Sequence, residues 1–159
     1  MFEIKKTEDE KTISDAKKLL VEYGDYMYNE INLIDGKSSF PIKLNTFPGN
    51  EYEEPHGVFL IAYANNWPAG CIGLRRFDSN SCEMKRLYVR PKFRGQQIGY
   101  KLCEKLIELA KCYGYQRMIL DTNKEMSAAI KLYQRLFFME IQPYCLNENP
   151  NPIYLQKIL

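Results

Sequence analysis

From Tyr88 to Tyr100 the chain reads Tyr-Val-Arg-Pro-Lys-Phe-Arg-Gly-Gln-Gln-Ile-Gly-Tyr, and this passage dictates a strand that stops, a basic connector and a turn that opens a helix. Pro91 has no ladder donor and biases Arg90 toward an extended backbone, so pairing ends there. Gly95 supplies the positive φ of a tight turn, and Gly99 lets main chain or ligand come close. A helix start leaves its first N–H groups unpaired and carries partial positive charge, so it holds an anion with backbone alone. Arg90, Lys92 and Arg94 add positive charge on the entry side. A P-loop spaces its glycines by four residues before Gly-Lys-Ser/Thr, and a dinucleotide turn needs Gly-x-Gly-x-x-Gly; this segment matches neither.

The flanking text alternates strands and helices. Phe2 to Lys6 alternates as a strand, and Ile13, Ala16, Leu20, Tyr23 and Met27 recur at helical spacing. The polar stretch 32–56, rich in glycine, proline, serine and asparagine, is expected to be a long loop or partly helical excursion. Val58–Tyr63 and Ala69–Phe77 read as strands joined at Asn65-Asn66, and Asp78-Ser79-Asn80 turns the chain into a strand over Cys82–Val89. Strict alternation would put Glu83, Lys85, Leu87 and Val89 on one face of that strand and Cys82, Met84, Arg86 and Tyr88 on the other. Ile98, Leu102, Leu106, Leu109, Ala110 and Tyr113 form the stripe of a helix ended by Gly114. Arg117–Asp121 reads as a buried strand, Met126, Ala129, Ile130, Tyr133 and Phe137 as a second helical stripe, and Phe138–Gln142 and Ile153–Lys157 as closing strands. Strand, helix, then parallel strand predicts an α/β layered fold.

Composition enters where it excludes classes. The 159 residues fit one domain, 1–159, and 45% hydrophobic with 13% aromatic residues excludes a disordered chain. No apolar run approaches the roughly 20 residues that span a bilayer, and the N-terminal residues lack the apolar core of a leader peptide. The five cysteines are odd in number and contain no Cys-x-x-Cys pair, which points to a reducing, cytoplasmic setting and no membrane partner. A formal charge of +2 is small for a nucleic-acid binder, so the basic cluster is read as a cradle for one small polyphosphate ligand. One histidine, His56, in a loop, and scattered cysteines give no metal-ligand spacing.

Arg-Gly-Gln-Gln-Ile-Gly resembles the Gln/Arg-x-x-Gly-x-Gly/Ala signature of the GNAT superfamily of acetyl-CoA-dependent N-acetyltransferases. Gly-Cys-Ile-Gly-Leu-Arg-Arg-Phe and Cys-Glu-Met-Lys-Arg-Leu-Tyr-Val look like its two central strands, and Ala-Ala-Ile-Lys-Leu-Tyr-Gln-Arg-Leu-Phe-Phe looks like its Ala-x-x-Leu-Tyr-x-x-x-Gly-Phe segment. The resemblance runs from Ala69 to the C-terminus, and Phe-Pro-Gly-Asn-Glu-Tyr-Glu-Glu-Pro-His-Gly resembles a subgroup of bacterial members. It implies a mixed, mostly antiparallel central sheet with helices on both faces, acetyl-CoA as cosubstrate, direct transfer to a small-molecule or peptidyl amine, and room for a homodimer. It also implies that Leu87, Tyr88, Val89, Arg94, Gly95, Gln96, Gln97, Ile98, Gly99, Tyr100, Asn123 and Tyr133 contact the cofactor. A backbone N–H, that of Val89, would stabilise the oxyanion where two strands splay.

Acyl transfer to an amine needs a route for the ammonium proton and a stabilised leaving thiolate. Glu83 aligns with the family's catalytic glutamate; the residue pattern leaves open that it pairs with Lys85 or Arg76 across the hairpin. Asp121 competes as base or as ammonium anchor. Tyr133 aligns with the tyrosine directed at the thioester sulfur, and a hydrogen bond to that sulfur fits a phenol better than full protonation; its stripe position equally suits a core tyrosine. Three departures stand out: Gln97 replaces a frequent glycine and must avoid a positive φ or be strained, Met126 replaces a frequent asparagine whose contact Asn123 or Thr122 would supply, and Phe137 replaces a glycine. Tyr23, Tyr26, Tyr28, Glu51, Glu53, Glu54 and Arg75 are candidate substrate-pocket residues. Acids there favour a cationic amine, whereas Arg75, Lys85 or Arg86 favour a carboxylate. A non-catalytic CoA-binding sensor or interaction module is the alternative class.

Overall fold

The computed structural model describes residues 1–30, 32 and 44–159, so much of the expected 32–56 loop lies outside the described residues. In chain order the elements are β1 (Phe2–Lys6), α1 (Glu10–Asn29), β2 (Val58–Ala64), β3 (Trp67–Arg76), β4 (Ser81–Val89), α2 (Ile98–Cys112), β5 (Arg117–Asn123), α3 (Ser127–Arg135), β6 (Met139–Glu140) and β7 (Pro152–Ile158), with short 3-10 turns at Asn50–Tyr52 and Pro91–Phe93. Asp9 starts α1 with a reciprocal cap: its carboxylate accepts from Thr12 N at 2.7 Å, and the Thr12 hydroxyl accepts from Asp9 N at 3.2 Å. Asn65 and Asn66 turn β2 into β3 with φ of 51° and 66°, the paired positive dihedrals of a tight hairpin.

Seven strands form one sheet in the order β1-β2-β3-β4-β5-β7-β6. Neighbours are antiparallel except β4 and β5, which run parallel. β2 is buried at every position because both faces of the sheet are covered. Leu60, Ala62 and Ile72 pack with Leu102, Leu106 and Tyr133 on the side of α2 and α3, while Phe59, Ile61 and Tyr63 pack with Ala16, Leu19 and Leu20 of α1 on the other. The expected mixed, mostly antiparallel sheet with helices on both faces is therefore present. Among the described residues no helix is long and apolar enough to cross a membrane.

Several sequence expectations are corrected. Arg86 has φ +61°, and the β3–β4 register shifts between Cys71 and Gly73, so β4 carries a bulge that breaks its alternation. Before the bulge Cys82 and Met84 face α2; beyond it Leu87 and Val89 do, and Tyr88 joins the α1 cluster. Leu87 and Val89 thus do not share a face with Glu83 and Lys85. Phe137 is not part of the α3 stripe: it is 80% exposed with φ +64°, while Leu136 and Phe138 turn inward, because the chain takes the left-handed step that usually follows a helix. The strand expected over Phe138–Gln142 shrinks to Met139–Glu140. In α2 the buried stripe also takes in Cys103 and Ile107.

Candidate active site

β4 and β5 pair only over Ser81–Glu83 against Arg117–Ile119, and beyond that point their edges separate. Arg90 N donates to Ala69 O at 2.8 Å, so by the alternation of a ladder Val89 presents its N–H away from β3, to the open side. Val89 O points the same way and accepts from Arg94 Nε at 3.0 Å.

The open edge leads into a cleft of about 330 Å³. Of the residues expected there, Leu87, Tyr88, Val89, Arg94, Gly95, Gln97, Ile98, Gly99 and Tyr100 line it, and Gln96 does not. Gln97 sits at the N-cap of α2 with φ +64° and no side-chain cap, so the first N–H groups of the helix face the cleft without side-chain partners. The left-handed φ is the strained option, costing about 1–2 kcal/mol for a residue with a Cβ. Cationic charge is less concentrated than the sequence suggests. Arg90 is locked on Glu22 at 2.6 and 2.9 Å and on Pro68 O, and Lys92 lies over Trp67 and Phe93. Arg94, stacked 4.9 Å from the Tyr26 ring, lines the cleft together with Arg135, whose guanidinium lies 4.9 Å from the Tyr100 ring. Arg135 is a contributor that the sequence reading missed.

Where the strands part, a small cavity of about 50 Å³ joins the two faces of the sheet; Leu87, Lys85, Asp121, Asn123, Met126 and Tyr133 are among its walls. Tyr133 is buried, and burial pushes its phenol well above the ordinary value. No hydrogen bond reaches its hydroxyl from the described residues. Asn123 is 4% exposed, and its Oδ1 is buried without a partner.

On the α1 side a cavity of about 510 Å³ gathers Glu51, Arg75, Glu83, Lys85, Asp121 and Tyr144. Glu83, 3% exposed, accepts from Arg75 Nε at 2.8 Å and from the Tyr144 hydroxyl at 2.7 Å. Its cross-strand partner is therefore Arg75, not Arg76, because the register sets Arg75 opposite Glu83. Lys85 Nζ lies 3.3 Å from Asp121 and 3.8 Å from Glu83, and Asn147 donates to Asp121 at 3.1 Å. Burial, reinforced by Glu83, raises the Tyr144 phenol, and burial next to Asp121 and Glu83 raises the Cys145 thiol. Glu83, Asp121 and Cys145 present ligand atoms within 4.8 Å of one another; the cations already set against those carboxylates are Arg75 and Lys85.

Tyr144, Cys145 and Asn147 come from the β6–β7 connector, to which the sequence alone assigned no role. Its polar, asparagine-rich text was the available sign. Tyr23 and Tyr26 belong to the cleft rather than to this cavity. Tyr28 and Glu53 line none of these three cavities, and Glu54 is engaged elsewhere by Lys6 and Tyr113. His56 is exposed, outside all three.

Residues 23–138 match the model of the acetyltransferase (GNAT) family. The chain belongs to that family. An uncharacterized N-acetyltransferase of Schizosaccharomyces pombe is 38% identical over 111 residues, covering 69% of this chain and 68% of the relative. A crystal structure of an acetyltransferase from Streptococcus agalactiae superposes with a TM-score of 0.82 at 26% identity, over 99% of this chain and 98% of that one. The PaiA N-acetyltransferase of Thermoplasma acidophilum, solved in complex with coenzyme A, shares the fold at TM-score 0.80 and 19% identity, over 100% and 99% of the two chains. In this GNAT chain β4 and β5 part beyond Glu83, and Gln97 opens α2 beside the cleft.

Proposed function

We propose that residues 1–159 form a single domain that transfers an acetyl group from acetyl-CoA to a primary amine of a small molecule or peptide by direct transfer. The observation that carries this reading is the buried, unpartnered Asn123 Oδ1 beside Tyr133 in the gap between β4 and β5. A lone buried acceptor is costly unless a donor arrives, and the amide N–H groups of a pantetheine arm are such donors. The Thermoplasma neighbour's coenzyme A complex supports the same choice of ligand.

In this reading the first turn of α2 and Arg94 hold the pyrophosphate, and the outward N–H of Val89 meets the developing oxyanion. The thioester supplies an activated acyl carbon. An alkylamine enters mostly as ammonium, so a carboxylate must take its proton. Asp121 suits this better than Glu83, because its partners stand at 3.3 and 3.1 Å against 2.8 and 2.7 Å. Tyr133 keeps its proton, since burial raises its phenol, and offers a hydrogen bond to the departing sulfur. Overall a C–N bond replaces the C–S bond; of the two protons the ammonium sheds, one passes to the carboxylate before attack and the second leaves the acylated nitrogen for the departing thiolate, which is released as the free thiol.

Calorimetric titration with acetyl-CoA, CoA and ATP tests the reading, followed by an assay of amine-dependent thiol release. Saturable binding of the first two and not ATP is expected. Equal binding of ATP, or none of the three, would refute it.

A further inference from the structure

The 510 Å³ cavity has a floor of alternating charge. Glu51, Arg75, Glu83, Lys85 and Asp121 follow one another with separations of 3.6, 2.8, 3.8 and 3.3 Å. At its centre two carboxylates, Glu83 and Asp121, face two cations, Arg75 and Lys85, and offer both signs within a few ångströms, while the more exposed Glu51 adds one negative charge beside Arg75. A guest with a lone ammonium gains Glu83 and Asp121 but meets Lys85 at close range; a guest with a lone carboxylate meets the reverse. A guest carrying both charges on neighbouring atoms matches the floor without leaving any of its charges uncompensated.

The four groups are not held equally. Arg75 is fixed on Glu83 at 2.8 Å, whereas the contacts of Lys85, 3.3 and 3.8 Å, exceed the roughly 2.7–2.9 Å of a tight charge-assisted bond. Lys85 also lines both this cavity and the small one that holds Tyr133, so it stands where the two adjoin. Its flexible stem allows it to swing aside. Above the floor, Phe77 and Tyr144 stack edge to face at 5.3 Å, and Leu146 is 84% exposed next to them, which gives an apolar wall for a side chain.

We propose that the acceptor is a free α-amino acid or a zwitterion of the same shape. Its ammonium takes the place of the Lys85 ammonium between Glu83 and Asp121, its carboxylate pairs with the displaced Lys85, and its side chain lies along Phe77 and Leu146. The inference rests on the acetyl-transfer reading for the chemistry and on the cavity alone for the binding.

The test sets the common amino acids against their amides and their decarboxylated amines, scored by kcat/KM for thiol release from acetyl-CoA and, separately, by calorimetric binding of the acceptor alone. An amino acid should exceed its amide and its decarboxylated amine by roughly ten- to hundred-fold. Lys85→Met should erase that margin while acetyl-CoA affinity stays put, and Lys85→Arg should keep most of it. Amines without a carboxylate that perform as well as the amino acids, or a margin that survives in Lys85→Met, would overturn the proposal. If acetyl-CoA fails to bind, the acetyl-transfer reading falls; preferential binding of amino acids over their amides in calorimetry would still uphold the cavity assignment, and its absence would overturn it.

Discussion

Replacing Asn123 by leucine should make the protein more stable and worse at holding its cofactor. The two side chains are close in size, and the change removes the buried Oδ1 that has no partner. An unsatisfied buried acceptor costs about 1–3 kcal/mol, so a gain of about 1 kcal/mol is expected in the ligand-free state, and in a chain of this length that raises the melting midpoint by about 2–4 °C. With acetyl-CoA the sign reverses. Loss of one hydrogen bond worth about 1.4 kcal/mol weakens affinity tenfold. At a ligand concentration a hundred times the native dissociation constant, the native protein is stabilised by about 2.7 kcal/mol and the variant by about 1.4 kcal/mol. Thermal scans with and without acetyl-CoA should therefore show a raised baseline midpoint and a ligand shift cut to about half. A lowered ligand-free midpoint together with an undiminished shift would refute the assignment of Asn123 to the cofactor.

Tyr133→Phe should lower turnover about a hundredfold with acetyl-CoA affinity preserved, and unchanged turnover in stopped-flow assays would remove its role at the sulfur. Asp121→Asn should cost more turnover than Glu83→Gln and recover as pH rises and the amine deprotonates by itself; the opposite ranking in pH–rate profiles would return the base to Glu83. Phe137→Gly should stabilise by about 0.5–1 kcal/mol, the left-handed strain relieved less the entropy of glycine, because the ring is 80% exposed with φ +64°; a lowered urea midpoint would contradict this. Burial works to raise the Asp15 carboxyl, but hydrogen bonds from Lys11, Tyr63 and Lys18 together hold it below its usual value. Its stabilisation is accordingly present above about pH 4 and fades as pH falls through the depressed folded value. Asp15→Asn should flatten the acid limb of a stability–pH curve, and an unaltered limb would show that Asp15 does not shape it.

What could be read from the chain divides along physical lines. The β4–α2 passage was legible because proline, glycine and a helix start act locally, and their geometry needs no distant partner. The succession of strands along the chain followed from apolar runs and turn residues such as Asn65-Asn66, whereas their order in the sheet did not. The bulge at Arg86 was not legible, since an arginine with positive φ has no mark in composition and is imposed by the pairing with β3 around Ile72. Nor was the roof of the 510 Å³ cavity: Tyr144 and Asn147 lie 61 and 26 residues from the carboxylates they bond, Glu83 and Asp121, and only the antiparallel return of β7 along β5 brings their connector overhead. Arg90 and Lys92 looked like phosphate ligands by sequence position, but Glu22 and Trp67, far away in the chain, claim them.

The bulge has a further result for how such a strand can change over time. An added residue at Arg86 resets the phase of β4, so positions 83 and 85 answer to one side of the sheet and positions 87 and 89 to the other. The two halves are thereby editable apart. New side chains at 83 and 85 rewrite what the α1-side chamber welcomes, while 87 and 89 keep packing under α2 and keep their main-chain groups at the open edge. One continuous strand can in this way keep one end constant while the other is rewritten.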